Sequence, residues 1–303
     1  MSKLIARIGI PVLTVLVLAG CGSSSTNTSS TASTPTATTS TSAAENATVA
    51  AEVPAAMKTK GTLDVATEAQ YAPNEFIAPD GHTVIGMDAD LMHALGAVMG
   101  LKVDMINSNF ETIIPGLAAG RYDVGASSFT DTKEREKTVD FVDYFSAGIS
   151  FYAKAGANPG VTDVGDLCGK TVAVEKGTVE QEAAEAQSKA CTKEGKKSVT
   201  VLIFAGQNAV NLAVSGGRAE LGMADSPVVA YQIKLSNGAF KLIGKSYEFA
   251  PYGLALPKTT GMTTPMLAAL KVIMADGVYH AILAKWGLLE GAITTPTING
   301  AKS

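Results

Sequence analysis

From Gly61 onward the chain alternates short apolar runs with segments whose apolar residues recur at helical spacing, a pattern that argues for α/β architecture. Thr62 to Ala66 reads as a first strand. Leu91, Met92, Leu95, Val98 and Met99 then share a helical face behind Asp88 and Asp90, two acids suited to capping or complementing the helix start. Gly100 ends that helix, and Val103 to Ile106 form a second strand. Ile113, Ile114 and Leu117 mark another helix that closes near Gly120, and Val124 to Ala126 make a third strand. Beyond these, Leu167 to Val174 and Thr200 to Phe204 read as strands and Ala183 to Ala190 as a polar helix. Pro265 to Ala275 and Val278 to Trp286 read as two closing helices.

The first residues follow a different pattern. Lys3 and Arg7 precede a short apolar run, Ile8 to Leu18, that contains Gly9 and Pro11. At 1.5 Å per residue this run is too short to span a bilayer, so residues 1–20 read as a secretory signal. The run ends in Leu18-Ala19-Gly20-Cys21, which resembles the bacterial lipobox. That resemblance implies cleavage before Cys21 and a diacylglycerol on its thiol. Residues 22–44 are almost entirely Ser, Thr, Ala and Gly, with too little apolar surface to offset the entropy of ordering. Residues 21–56 are therefore expected to be a lipidated, flexible tether, with the folded part starting near Val53 to Lys60.

A length of 303 residues suits two lobes better than one core. Phe151-Tyr152-Ala153 and Tyr252-Gly253-Leu254 both read as extended crossovers. They divide the folded part into a discontinuous first lobe, 57–152 and 253–303, and a continuous second lobe, 153–252, joined by a two-stranded hinge. An internal similarity supports paired architecture. Gly120-Arg121-Tyr122-Asp123-Val124-Gly125-Ala126 and Gly217-Arg218-Ala219-Glu220-Leu221-Gly222-Met223 both leave a helix, turn and start a strand. Aligned on these, Ser127-Ser128 lies opposite Ala224-Asp225, which places polar residues past the carboxyl ends of two strands, where open α/β sheets bind ligands.

Composition narrows the chemistry. A net charge of −4 with no basic stripe gives no reason to expect nucleic acid, and three dispersed His residues give none to expect a metal site. No cofactor motif is present. Two Cys residues remain after Cys21, and in an exported chain Cys168 and Cys191 are expected to form a disulfide.

Ser127-Ser128-Phe129-Thr130-Asp131-Thr132-Lys133-Glu134-Arg135 joins hydroxyls to an Arg, the groups needed to hold a carboxylate. This run, followed by Thr138-Val139-Asp140-Phe141, resembles the periplasmic polar-amino-acid-binding proteins, the bacterial solute-binding protein family 3. Gly86-Met87-Asp88-Ala89-Asp90-Leu91 is similar to a signature of the same family, with Met87 and Ala89 departing from it, and the resemblance spans Gly61 to Leu289. It implies the two-lobed periplasmic-binding-protein fold, each lobe a mixed sheet flanked by helices. It also implies an extracytoplasmic, monomeric receptor that passes a free amino acid to the permease and ATPase of an ABC importer.

The resemblance assigns residues to the ligand. Arg135, with Ser128 and Thr130, would hold its carboxylate, joined by Thr178 and the backbone of Val179 at a helix start. Asp225 would pair with its ammonium. Ser226 would cap the helix that follows, with Pro227 in its first turn. Tyr71 would stack on the ligand side chain, with Phe76 or Phe129 completing the wall and Phe110 divided between wall and core. Glu68 would face the side chain and suits a basic or an amide group. Two alternatives remain beside a transport receptor: a sensor for a signalling partner, and an enzyme similar to cyclohexadienyl dehydratases, in which Glu68 or Glu175 would act as acid or base.

Overall fold

A computed structural model describes residues 41–302. The expected signal, Cys21 and the tether up to residue 40 lie outside the described residues. Among them the chain forms strands β1 (Thr62–Thr67), β2 (Gln70–Tyr71), β3 (Glu75–Ile77), β4 (Val84–Ile85), β5 (Lys102–Asn107), β6 (Val124–Gly125), β7 (Val139–Lys154), β8 (Thr171–Glu175), β9 (Thr200–Phe204), β10 (Leu221–Asp225) and β11 (Phe240–Pro257). The helices are α1 (Ala47–Glu52), α2 (Ala55–Lys60), α3 (Met87–Val98), α4 (Phe110–Ala118), α5 (Val179–Lys193), α6 (Gln207–Ser215), α7 (Ser226–Leu235), α8 (Thr263–Ala275) and α9 (Val278–Trp286).

The fold is two-lobed. Its main sheet runs β5-β1-β6-β11-β7-β10-β8-β9, and β2-β3-β4 form a small antiparallel sheet beside it. β1 pairs in parallel with β5 and β6, and β8 pairs in parallel with β9 and β10, so each half carries its own parallel core. β7 and β11 are long enough to serve both halves and pair antiparallel with each other. β10 joins β7 at Ile149 to Tyr152, whereas β6 joins β11 at Ala255. The ladder between β7 and β11 slips between Ile243 and Tyr247, between Tyr247 and Ala250, and again at Tyr252/Gly253. Such irregularities unpair backbone groups and bend a strand, which suits a crossing that must flex. β7 therefore already serves the second half from Ile149, a few residues ahead of the crossover expected at 152.

Each half has its own core. Leu63 and Val65 of β1 pack with Leu91 and Leu95 of α3 and with Met266 and Leu270 of α8. In the second half, Val172 and Val174 of β8 pack against Ala184 and Cys191 of α5, while Ala173 faces Val210 and Val214 of α6. Helices on both faces explain why β8 reads as an unbroken apolar run. Cys168 and Cys191 form a disulfide with Cα atoms 5.5 Å apart.

Several local expectations are corrected. Order begins before Val53: Asn46 caps α1 through its side chain, donates its N–H to Val98 O at 2.9 Å, and Val49 is buried in the first core. Of the expected strand from Leu167 to Val174, Val164–Leu167 is a 3₁₀ turn and pairing starts at Thr171. Asp88 and Asp90 do not cap α3, whose N-cap is Gly86. Asp88 instead accepts bonds from Ser128 N (2.8 Å) and Tyr144 Oη (2.7 Å), and Asp90 from Lys285 Nζ (2.6 Å) and Trp286 Nε1 (2.7 Å). Ser226 is not a cap either: Asp225 holds the N-cap position of α7, without a side-chain bond to the helix.

Candidate ligand-binding site

The carboxyl ends of β1, β6, β8 and β10 converge on a cavity of about 300 Å³ between the two halves. Eight of the ten expected ligand residues line it: Glu68, Tyr71, Ser128, Thr130, Arg135, Thr178, Val179 and Asp225.

The first half supplies the loop expected to hold the ligand carboxylate. Ser128 follows β6 in the left-handed region, at φ 49°. That conformation is costly for a residue with a Cβ, and a buried network holds it. Ser128 N donates to Asp88, while its Oγ accepts from Asn74 Nδ2 at 2.8 Å and donates to Glu75 Oε2 at 3.1 Å. Arg135, on a 3₁₀ turn, donates from Nη1 to Thr130 O (2.7 Å) and from Nη2 to Gly177 O of the second half (3.0 Å). Its guanidinium carbon lies 5.5 Å from the ring centre of Phe110 and 5.6 Å from that of Phe129.

The second half closes over this loop. Thr178 caps α5, its Oγ1 accepting from Gln181 N (3.2 Å) and donating to Glu175 O (2.8 Å). The start of this 15-residue helix lies at the cavity, where Thr178 and Val179 line it. Tyr71 Oη donates to Asp225 Oδ2 at 2.9 Å and accepts from Asp225 N at 3.0 Å. Lys176 pairs with Glu111 at 3.4 Å, and a Cβ on Gly177 would come within 2.9 Å of Glu111 Cβ. The Tyr71–Asp225 and Lys176–Glu111 pairs and the approach of Gly177 to Glu111 cross between halves.

Two aromatic expectations are corrected. Phe76 does not line the cavity: it packs edge-on to Trp286 at 5.7 Å and lies 6.5 Å from Tyr231. Neighbouring residues of a strand point to opposite faces, and β3 turns Glu75 inward, so Phe76 must turn away. Phe129 is buried behind Phe110, stacked on it at 4.5 Å, so Phe110 supplies the wall and Phe129 backs it. Tyr71, expected as a stacking ring, also serves as the latch to Asp225.

The sequence reading overlooked the number of acids. Glu75, Glu175 and Glu180 join Glu68 and Asp225, so five carboxyl groups share the cavity with one guanidinium. Burial pushes Glu68 up to about 7, helped by Glu111. It pushes Glu180 to about 8, helped by the charge of Asp225, and Asp225 itself to about 6. Glu175 and Glu75 are raised well above the usual carboxyl range, chiefly by burial and then by neighbouring acids. Alternation along β3 was the signal available for Glu75; Glu180 sits two residues after the Thr178 cap, in the first turn of α5.

A family model for bacterial extracellular solute-binding proteins, family 3, matches residues 63–289. The chain belongs to this family. Among its relatives is the arginine-binding protein ArgT of Corynebacterium glutamicum, 36% identical over 252 residues, which are 83% of this chain and 82% of ArgT. An ancestral arginine-binding protein, solved bound to arginine and also bound to glutamine, superposes with a TM-score of 0.68 at 32% identity. That match covers 75% of this chain and 98% of the other. An ancestral amino-acid-binding protein described as a precursor of cyclohexadienyl dehydratase superposes at 0.66 with 31% identity, over 76% of this chain and 97% of that one. In the family 3 protein described here, the two lobes and the cleft between them are the shared scaffold.

Proposed function

We propose that this chain is the extracytoplasmic receptor of an ABC-type importer and that it takes a cationic amino acid, arginine foremost. The observation that carries this reading is the charge of the cavity: five carboxyl groups against one guanidinium. Burial holds protons on these acids above the ordinary carboxyl range, and a ligand with two cationic groups and one carboxylate, net +1, offsets part of the negative charge they can carry. The ligand carboxylate would lie between Arg135, Thr130, Ser128 and the start of α5. The ammonium would go to Asp225, and the cationic side chain would run past Phe110 and Tyr71 toward Glu68. The arginine-binding proteins among its relatives favour the same ligand.

Arg135 and Asp225 stand on opposite halves, so one zwitterion bridges both and favours the closed form by its differential affinity. The crossings of β7 and β11 near Ala147 and Ala250 would act as the hinge. A monomer anchored through lipid on Cys21 would then present the closed form to a permease and its ATPase.

The test is calorimetry of the purified protein against arginine, lysine, ornithine, histidine, citrulline and glutamine. Micromolar binding requires only about 8 kcal/mol. Cationic ligands are expected to bind at least tenfold more tightly than citrulline or glutamine, and tightest binding of a neutral amino acid would remove the reading. Turnover of prephenate or arogenate would favour the enzymatic alternative.

A further inference from the structure

We propose that Glu175 is a specificity-determining residue that forms, with Glu68, a two-carboxylate clamp for the cationic tip of the ligand side chain. This deepens the reading of the cavity as a cationic amino-acid site and rests on it. The position of Glu175 follows from the fold. Val172, Ala173 and Val174 of β8 are buried on both faces, and the strand's last residue emerges at the cavity. Glu175 is 3% exposed there, and neither of its carboxyl oxygens has a hydrogen-bond partner among the described residues.

The fold does not need this carboxyl group. The backbone oxygen of Glu175 does the local structural work, accepting from Thr178 Oγ1, and the cap of α5 is the Thr178 hydroxyl. The nearby cations are directed elsewhere. Arg135 donates to the carbonyls of Thr130 and Gly177, and Lys176 pairs with Glu111. The charged groups that act on Glu175 are instead Glu68, Glu180, Glu111 and Asp225, in that order, and all are acids. A buried carboxyl surrounded by carboxyls and lacking a donor is suited to an incoming cation.

Glu68 and Glu175 come from opposite halves, one just past β1 and one at the end of β8. A planar guanidinium carries five N–H donors in a fixed fork and can engage two carboxylates on different edges. A cation held between Glu68 and Glu175 therefore bridges the halves a second time, at the opposite end of the ligand from Arg135 and Asp225. A neutral amide of the same shape would leave both acids unpaired. Discrimination would then come from the unpaired groups more than from shape.

The test titrates the full chain and its Glu175→Gln and Glu175→Leu variants with arginine and with citrulline, its neutral isostere, with a thermal melt of each to confirm folding. Loss of one charge-assisted contact predicts that either variant weakens arginine by about 10- to 150-fold. Citrulline should change by less than about threefold, so that the ratio between the two ligands collapses. Equal losses for both ligands, or an arginine affinity that does not move, would overturn the clamp. If the unmodified chain prefers citrulline to arginine, the cationic-ligand reading itself falls, and the clamp with it.

Discussion

Tyr71 and Asp225, 154 residues apart in sequence, exchange two hydrogen bonds across the cleft: the tyrosine hydroxyl donates to Oδ2 and accepts from the Asp225 N–H. One hydroxyl thus ties the loop after β1 to the end of β10 and orients the carboxylate assigned to the ligand ammonium. Tyr71→Phe retains the ring and removes the tie. A charge-assisted hydrogen bond contributes about 1.5–3 kcal/mol, so affinity should fall by roughly tenfold or more, with little change in melting temperature. Small-angle scattering should also show a larger radius of gyration for the variant without ligand. An unchanged affinity would mean that the ring alone matters.

Asp225 is assigned to a different group of the ligand from Arg135, the ammonium where Arg135 takes the carboxylate. Asp225→Asn keeps the side-chain shape and an acceptor for Tyr71 Oη but removes the charge. Ligands with a free ammonium should weaken far more than their deaminated analogues, which calorimetry on matched pairs would reveal. Equal losses would assign the ammonium to another acid, with Glu180 the first to examine.

The scaffold was readable from the chain because its elements depend on local pattern and length. β1, β5, β9, α8 and α9 fall where periodicity and punctuating glycines place them, and the disulfide follows from export. The lining of the cavity was readable where a motif fixes the backbone, as at Ser128, Arg135, Thr178 and Asp225. It was not readable where a side chain's direction is set by a distant partner. Asp88 has the spacing of a helix cap, yet Tyr144 and Ser128, 56 and 40 residues away, draw it into the core. Phe76 belongs to an aromatic loop, but the pairing of β3 with β2 and β4 sends Glu75 inward in its place. The accumulation of acids was hidden for the same reason, since Glu68 and Glu75 of one half meet Glu175 of the other only in the folded chain.

Arg135 is expected to affect stability as well as binding. Its guanidinium covers Phe110 and Phe129, bonds carbonyls on both halves and is, among the described residues, the one cation lining an acid-rich cavity. Arg135→Ala should lower arginine affinity by more than 100-fold, because two or more charge-assisted bonds are lost together. It should also lower the melting temperature, more at pH 8 than at pH 5, since at the higher pH the remaining carboxylates are ionised and lack their cation. A loss of stability independent of pH would point to packing on the two rings as the residue's main contribution.

The acids also set a pH dependence whose sign can be worked out. Glu68, Glu180 and Asp225 hold protons to about 7, 8 and 6 in the folded chain, above their ordinary values near 4. A raised carboxyl stabilises the fold fully below its unfolded value, and that stabilisation is lost as pH climbs through the folded value. The melting temperature of the ligand-free protein should therefore fall between about pH 4.5 and pH 8, and Glu180→Gln should flatten the upper part of that decline. Ligand affinity should move the opposite way. A cationic ligand pairs with ionised carboxylates and expels their protons, so arginine should bind more tightly at pH 8 than at pH 5.5, while citrulline should change little. Calorimetry in buffers of different ionisation enthalpy counts the protons released. Net uptake of protons on arginine binding, or an affinity that falls with rising pH, would mean that the carboxyls act as neutral donors and that the ligand's cation lies outside their reach.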